Sequence, residues 1–144
     1  MSAAPIKFAS LRQEQEWADP RLNGTVRLIT EYAADFCFHE IGHIITLTSI
    51  YRTMAEDKAL EGHGIHPVWR AVDVRTNDMP VGAALRLEDE ISRVWRYDPA
   101  RPYLQVAYGK PHGTGPHIHL QVSSVTCQIA GCLAWPLPNK MQAS

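Results

Sequence analysis

The stretch FHEIGHIITLTS, Phe38 to Ser49, decides the fold, because it can be read as two different elements. Its first half spells His39-Glu40-Ile41-Gly42-His43, the HExxH signature in which one helical face carries two zinc-binding imidazoles and a glutamate base. Chance gives roughly 0.02 such motifs in a chain of this composition. The second half and its continuation, HIITLTSIYRT, are rich in β-branched residues, which crowd a helix and favour a strand. Gly42 falls where a helix would end on a C-cap glycine. The extended zincin pattern also needs glycine at 46 and histidine at 49, where this chain has Thr46 and Ser49. The expectation is therefore a helix end, a turn and a strand, with a zincin built on His39 and His43 as the rival.

Upstream, Asp19-Pro20 reads as an N-cap followed by a proline at the first helical position. Leu22, Val26, Ile29, Ala33 and Phe36 then keep helical spacing, which predicts a core-facing helix over residues 20–38. Downstream, RAVDV (70–74) predicts a short strand. Pro80 opens a second helix carrying Ala84, Leu87, Ile91 and Trp95. YLQVAY (103–108) and HIHLQV (117–122) predict two strands joined by the loop GKPHGTGP, short enough for antiparallel pairing. The plan is α+β: a single domain over 1–144 with its core about 19–122, a tail at 123–144, and helices on one side of a small antiparallel sheet.

Composition limits the function classes. The chain has 144 residues, 45% hydrophobic and 20% charged, as a soluble globular domain does. A net charge of -1 supplies no overall field for nucleic acid or anionic lipid. No apolar run approaches the roughly 18 residues needed to cross a bilayer. The N-terminus lacks a basic start and apolar run, so synthesis in the cytoplasm without a signal peptide is expected. Cys37, Cys127 and Cys132 form no CxxC pair and are expected as reduced thiols. No histidine stands beside Cys127 and Cys132, which sets aside a zinc site there.

A second set of histidines is dispersed. His66 precedes Asp73 by seven residues, and Asp73 lies on a predicted strand. His117 and His119, two apart on another strand, leave it from the same face. A bare HxH is weak, with roughly 0.3 expected by chance. Combined, a carboxylate and two imidazoles on adjacent strands can supply three zinc ligands and leave the fourth position open.

In this order and at these separations, TSIYRT (48–53), HPVWRAVDV (66–74) and HIHLQV (117–122) resemble the LAS metallopeptidases. That group takes in lysostaphin-type endopeptidases, D-Ala-D-Ala carboxypeptidases and phage L-alanyl-D-glutamate endolysins, with the hedgehog signalling domain as a relative. The resemblance runs from about residue 47 to 122 and looks closest to the carboxypeptidase branch, through its S-x-Y-R strand and H-x6-D spacing. It implies a hedgehog/D-Ala-D-Ala peptidase-like fold with one zinc held by His66, Asp73 and His119. Arg52 matches the arginine that stabilises substrate and transition state, with Ser49, Tyr51 and His112 on the substrate side. Many members of that branch carry a glutamate base three residues before the last zinc histidine, where this chain has Pro116. His117 is the natural substitute and His112 the second candidate. The implied activity is a zinc peptidase cutting a peptide bond in the peptidoglycan stem peptide. The absence of a signal suggests a phage endolysin or particle enzyme that reaches the wall on release. The alternative is a non-catalytic zinc-binding virion or binding protein on the same scaffold.

Overall fold

A computed structural model describes residues 4–111 and 115–129. In chain order the elements are β1 (Lys7–Phe8), α1 (Leu11–Trp17), α2 (Gly24–Phe36), a π-helical turn (Cys37–Ile41), β2 (Thr46–Ser49) and α3 (Met54–Ala59). A 3-10 turn (His66–Val68), β3 (Ala71–Arg75), α4 (Ala83–Val94), β4 (Trp95–Arg96), β5 (Ala107–Lys110), β6 (His117–Gln121) and β7 (Cys127–Gln128) follow. Five strands form one sheet in the order β1-β2-β3-β6-β5, and β4 pairs with β7. The fold is α+β with one core. The sheet is antiparallel except for β1, which joins β2 in parallel.

The opening stretch resolves as helix end and strand. α2 runs into the π turn, and Gly42 ends it at φ 79, a left-handed conformation that glycine adopts without cost. His39 is exposed. His43 faces Asp78, with Nε2 3.6 Å from its carboxylate. Among the described residues neither belongs to a group of three potential metal ligands. The HExxH residues thus lie on and just after the π turn rather than inside a continuing helix.

The first predicted helix exists but starts later. Asn23, not Asp19, is the N-cap: its side chain accepts from the Thr25 and Val26 N–H groups. Asp19 is occupied by the backbone and side chain of Arg21. The buried face of α2 carries Val26, Ile29, Thr30, Ala33 and Ala34. α1 was not foreseen from the sequence. It has no buried residue, so no apolar stripe announces it. The helix predicted from Pro80 begins at Ala83, and Trp95 has already left it for β4. The strand predicted over 103–108 is displaced to Ala107–Lys110 because Leu104 closes a turn onto the Arg101 carbonyl.

Alternation across β3 and β6 separates two faces. Val72 and Val74 on β3, and Ile118 and Leu120 on β6, join Ile29, Leu87 and Ile91 in the core, so α2 and α4 cover this side. Asp73, His117, His119 and Gln121 take the other side and are buried too. The 3-10 turn packs against β3, and Gln121 donates to the Gln105 carbonyl at 2.9 Å. Cys37 is a free thiol, and burial pushes it up to about 11. Cys127, expected as a thiol, is disulfide-bonded. At the sheet edge, Glu88 accepts the outward Gly109 N–H at 2.8 Å, which blunts β5 as a template for pairing.

Candidate metal centre

The site is a row across the sheet. Ser49 on β2 stands opposite Asp73 on β3, Asp73 opposite His119 on β6, and His119 opposite Tyr108 on β5. Directly opposed side chains on one face of an antiparallel pair come within contact, so register alone brings Asp73 to His119. His66 arrives from outside the sheet on the 3-10 turn, which Trp69 closes at φ 61 by donating its N–H to the His66 carbonyl. Holding an aromatic residue there costs on the order of 1 kcal/mol. The Trp69 ring is held in return, with Tyr51 stacked at 4.5 Å and the Arg21 guanidinium 4.7 Å from its centroid.

Asp73 is fully buried, and its two oxygens have different neighbours. Toward Oδ1 come His119 Nδ1 at 2.9 Å and His66 Nε2 at 3.3 Å. Toward Oδ2 come Arg52 Nη2 at 2.8 Å and His117 Nε2 at 3.6 Å. The first set is the one whose ligand atoms all lie within 4.8 Å of one another: His66, Asp73 and His119. His117 belongs to the other oxygen. The three residues expected from the sequence as ligands, His66, Asp73 and His119, are thus a group that could hold a metal ion.

Hydrogen bonding tests whether these donors fit a cation. His66 Nδ1 lies 2.9 Å from the Ile50 carbonyl, which can only accept, so Nδ1 carries the proton. In the neutral ring Nε2 is then a lone pair, and it faces an acceptor-only carboxylate oxygen. Two lone pairs 3.3 Å apart in a buried site repel, so the contact takes a positive charge between them, either a proton on Nε2 or a metal cation. Two imidazoles and one carboxylate, one imidazole oriented by a backbone carbonyl, are a donor set suited to zinc. In the metal-free chain a proton on the imidazoles takes the place of that cation. Burial works to raise the Asp73 carboxyl, but hydrogen bonds from His119 and His66 outweigh it and hold the group well below the usual carboxylate range. Burial pushes His119 down despite Asp73, which favours the neutral ring a metal requires.

The remaining predicted residues fall into place around this centre. Arg52 is buried, and each of its nitrogens has an acceptor: Nε on Ser49 Oγ at 3.0 Å, Nη1 on Asp57 at 3.4 Å, Nη2 on Asp73. Ser49 thus supports Arg52, and Tyr51 braces Trp69. His117 donates from Nδ1 to the Gly115 carbonyl at 2.7 Å, which leaves Nε2 as the proton-accepting atom. Pro116 contributes its carbonyl to Thr76 N–H and no acid or base. His112 lies outside the described residues. A cavity of about 10 Å³, room for one ion or one water, is walled by Arg52, Asp57, His66 and His119 among others. Beside it, sharing His63 and Ile65, is a groove of about 440 Å³ lined by Tyr97, Tyr103, Tyr108 and Gln121.

Sequence reading missed three contributors: the Ile50 carbonyl, Tyr108 and Asp57. A carbonyl has no sequence signal. Tyr108 could have been found from its register with His119, once the pairing was known. Asp57 follows a capping box, Thr53 with Glu56, that was legible and marks the start of α3. No family model, curated protein or solved structure matches this chain.

Proposed function

We propose that the protein is a zinc-dependent peptidase acting on the peptide stems of bacterial peptidoglycan. One observation carries the reading: two imidazoles converge on a single buried carboxylate oxygen, with the His66 lone pair aimed at it. The order and spacing of TSIYRT, HPVWRAVDV and HIHLQV, which resemble the LAS metallopeptidases, supply the substrate class.

A zinc ion held by His66, Asp73 and His119 supplies Lewis acidity, polarising a carbonyl and making water nucleophilic near neutral pH. The chain's own residues do the rest. The Ile50 carbonyl fixes the His66 tautomer. Asp73 presents one oxygen to the ligand side, while Arg52 and His117 attend the other. His117 Nε2, with Nδ1 already committed to Gly115, is the atom that takes up a proton. Arg52 puts a fixed positive charge at the cavity wall, where a developing oxyanion or a substrate carboxylate would meet it. The adjoining tyrosine-lined groove supports an extended peptide approaching from the β5 side.

The test has two readouts. Purified protein should contain one zinc per chain, and alanine at His66, Asp73 or His119 should remove it. The double change His39→Ala with His43→Ala should keep it. A metal-free but folded His39/His43 double variant would hand the site to the zincin. Digestion of purified peptidoglycan, followed by mass spectrometry of the fragments, should show a cleaved stem-peptide bond. A second reading, a zinc-binding protein without catalysis, is favoured by Pro116 at the usual glutamate position and by the narrow cavity. Stoichiometric zinc with no cleaved bond would select it.

A further inference from the structure

Asp57 is a carboxylate with 2% exposure in α3, and the proposed chemistry does not use it. Burying such a charge costs several kcal/mol unless it is paired and hydrogen-bonded. Its partners explain why it is tolerated. Oδ1 lies 3.4 Å from Arg52 Nη1, and Oδ2 accepts the Gly64 N–H at 2.8 Å. Its backbone carbonyl accepts the Gly62 N–H at 2.8 Å. The residues it ties are therefore of two kinds. Arg52 grips the far oxygen of Asp73. Gly62 and Gly64 belong to the loop that delivers His66 two residues later.

We infer that Asp57 is the positioning residue of this centre, one carboxylate that sets the orientation of two ligands at once. Through Arg52 it fixes the rotation of the Asp73 carboxylate, so that Oδ1 alone is offered to His66 and His119. Through the Gly64 amide, which bonds its Oδ2, it fixes the approach of the His66 turn. The fit around it is close. A Cβ on Gly62 would lie 2.2 Å from Asp57 Oδ1, so residue 62 has no side chain because the carboxylate occupies that space. Gly64 stands at φ 82, where its amide can point back to Asp57 without strain. Asp57 also walls the small cavity together with His66 and His119.

The inference rests on the metal reading above, and the experiment separates the two. Metal-stripped wild type, Asp57→Asn and Gly62→Ala are each titrated with zinc in competition with a chromophoric chelator, and with cobalt(II) followed by visible absorption. Asp57→Asn keeps the shape but cannot serve Arg52 and Gly64 with two charged oxygens. Gly62→Ala keeps the charge and displaces it. Both should bind zinc about 10- to 100-fold more weakly than wild type, as loss of an outer-shell partner does. Both should also shift the cobalt spectrum, which a change in stability alone would not. If Asp57→Asn does not fold, Gly62→Ala decides. Wild type that binds no metal overturns the metal reading and this inference with it. Wild-type affinity and an unchanged spectrum in the folded variants overturn the role of Asp57 alone and leave the metal reading standing.

Discussion

His117 and His119 share a face of β6, two residues apart, yet serve different oxygens of Asp73. The division predicts different phenotypes. His117→Ala should retain one zinc per chain and a native melting curve while losing about 10²- to 10⁴-fold of peptidoglycan cleavage, the usual worth of general acid–base help. Loss of metal in that variant would make His117 a ligand, and undiminished cleavage would send the search for a base to His112. His119 also predicts a pH dependence. Its folded value lies below the ordinary 6.5, burial being the main cause. Below pH 6.5 the unfolded ring takes up a proton that the folded ring refuses, so stability present above that pH is lost as pH falls toward the folded value. Asp73 shifts in the same direction but in a lower window: its depressed value contributes stability throughout pH 7 to 5 and loses it only below about 3.8. Metal-free protein should therefore melt at progressively lower temperature from pH 7 to 5. His119→Gln should flatten the slope, and an unaltered slope would assign it to other groups.

At the scale of elements, the site depends on how its supports begin and end. α2 begins on Asn23, whose single oxygen accepts from two amides. Asn23→Ala should cost about 1 kcal/mol, read by urea denaturation, and Asp19→Ala should cost less because Arg21 alone occupies that carboxylate. A larger loss from Asp19 would return the cap to the position suggested by the Asp-Pro pair. α3 is only six residues long, and its capping box holds the turn that carries Asp57. Arg12 of α1 reaches the same Glu56 at 2.8 Å and the Tyr51 carbonyl at 2.9 Å. Its side-chain hydrogen bonds pull Glu56 down to about 2. The unforeseen first helix is thus a buttress behind the strand end that supplies Arg52.

The whole molecule encloses the Asp73 carboxylate between three donors that could hold a metal ion and the Arg52 guanidinium. On the proposed reading metal binding and folding are linked, since the unfolded chain does not hold the three donors together. Free zinc at about a thousand times its dissociation constant adds about 4 kcal/mol to stability. For a domain of this size that raises the melting temperature on the order of 10 °C. A strong chelator should reverse the rise. A melting curve indifferent to zinc and chelator would show that no metal completes the site.

Local signals in the sequence determined the strand after Gly42, the two long helices, and the strand placement of Asp73 and His119. Each rests on periodicity, β-branching or spacing, which are properties of neighbouring residues. Asp19-Pro20 misled as a helix start because two capping residues lie four apart, and only the packed chain shows which is free to cap. Strand β5 lay a few residues beyond its predicted place because a turn at Arg101–Leu104 took the first of those residues. Register across β2, β3, β6 and β5 was decided by the tertiary structure, and with it the row Ser49, Asp73, His119 and Tyr108. So was the assignment of neighbours to the two oxygens of Asp73. Both depend on contacts between residues 7 to 46 positions apart, and the chain must close those distances before such residues acquire partners.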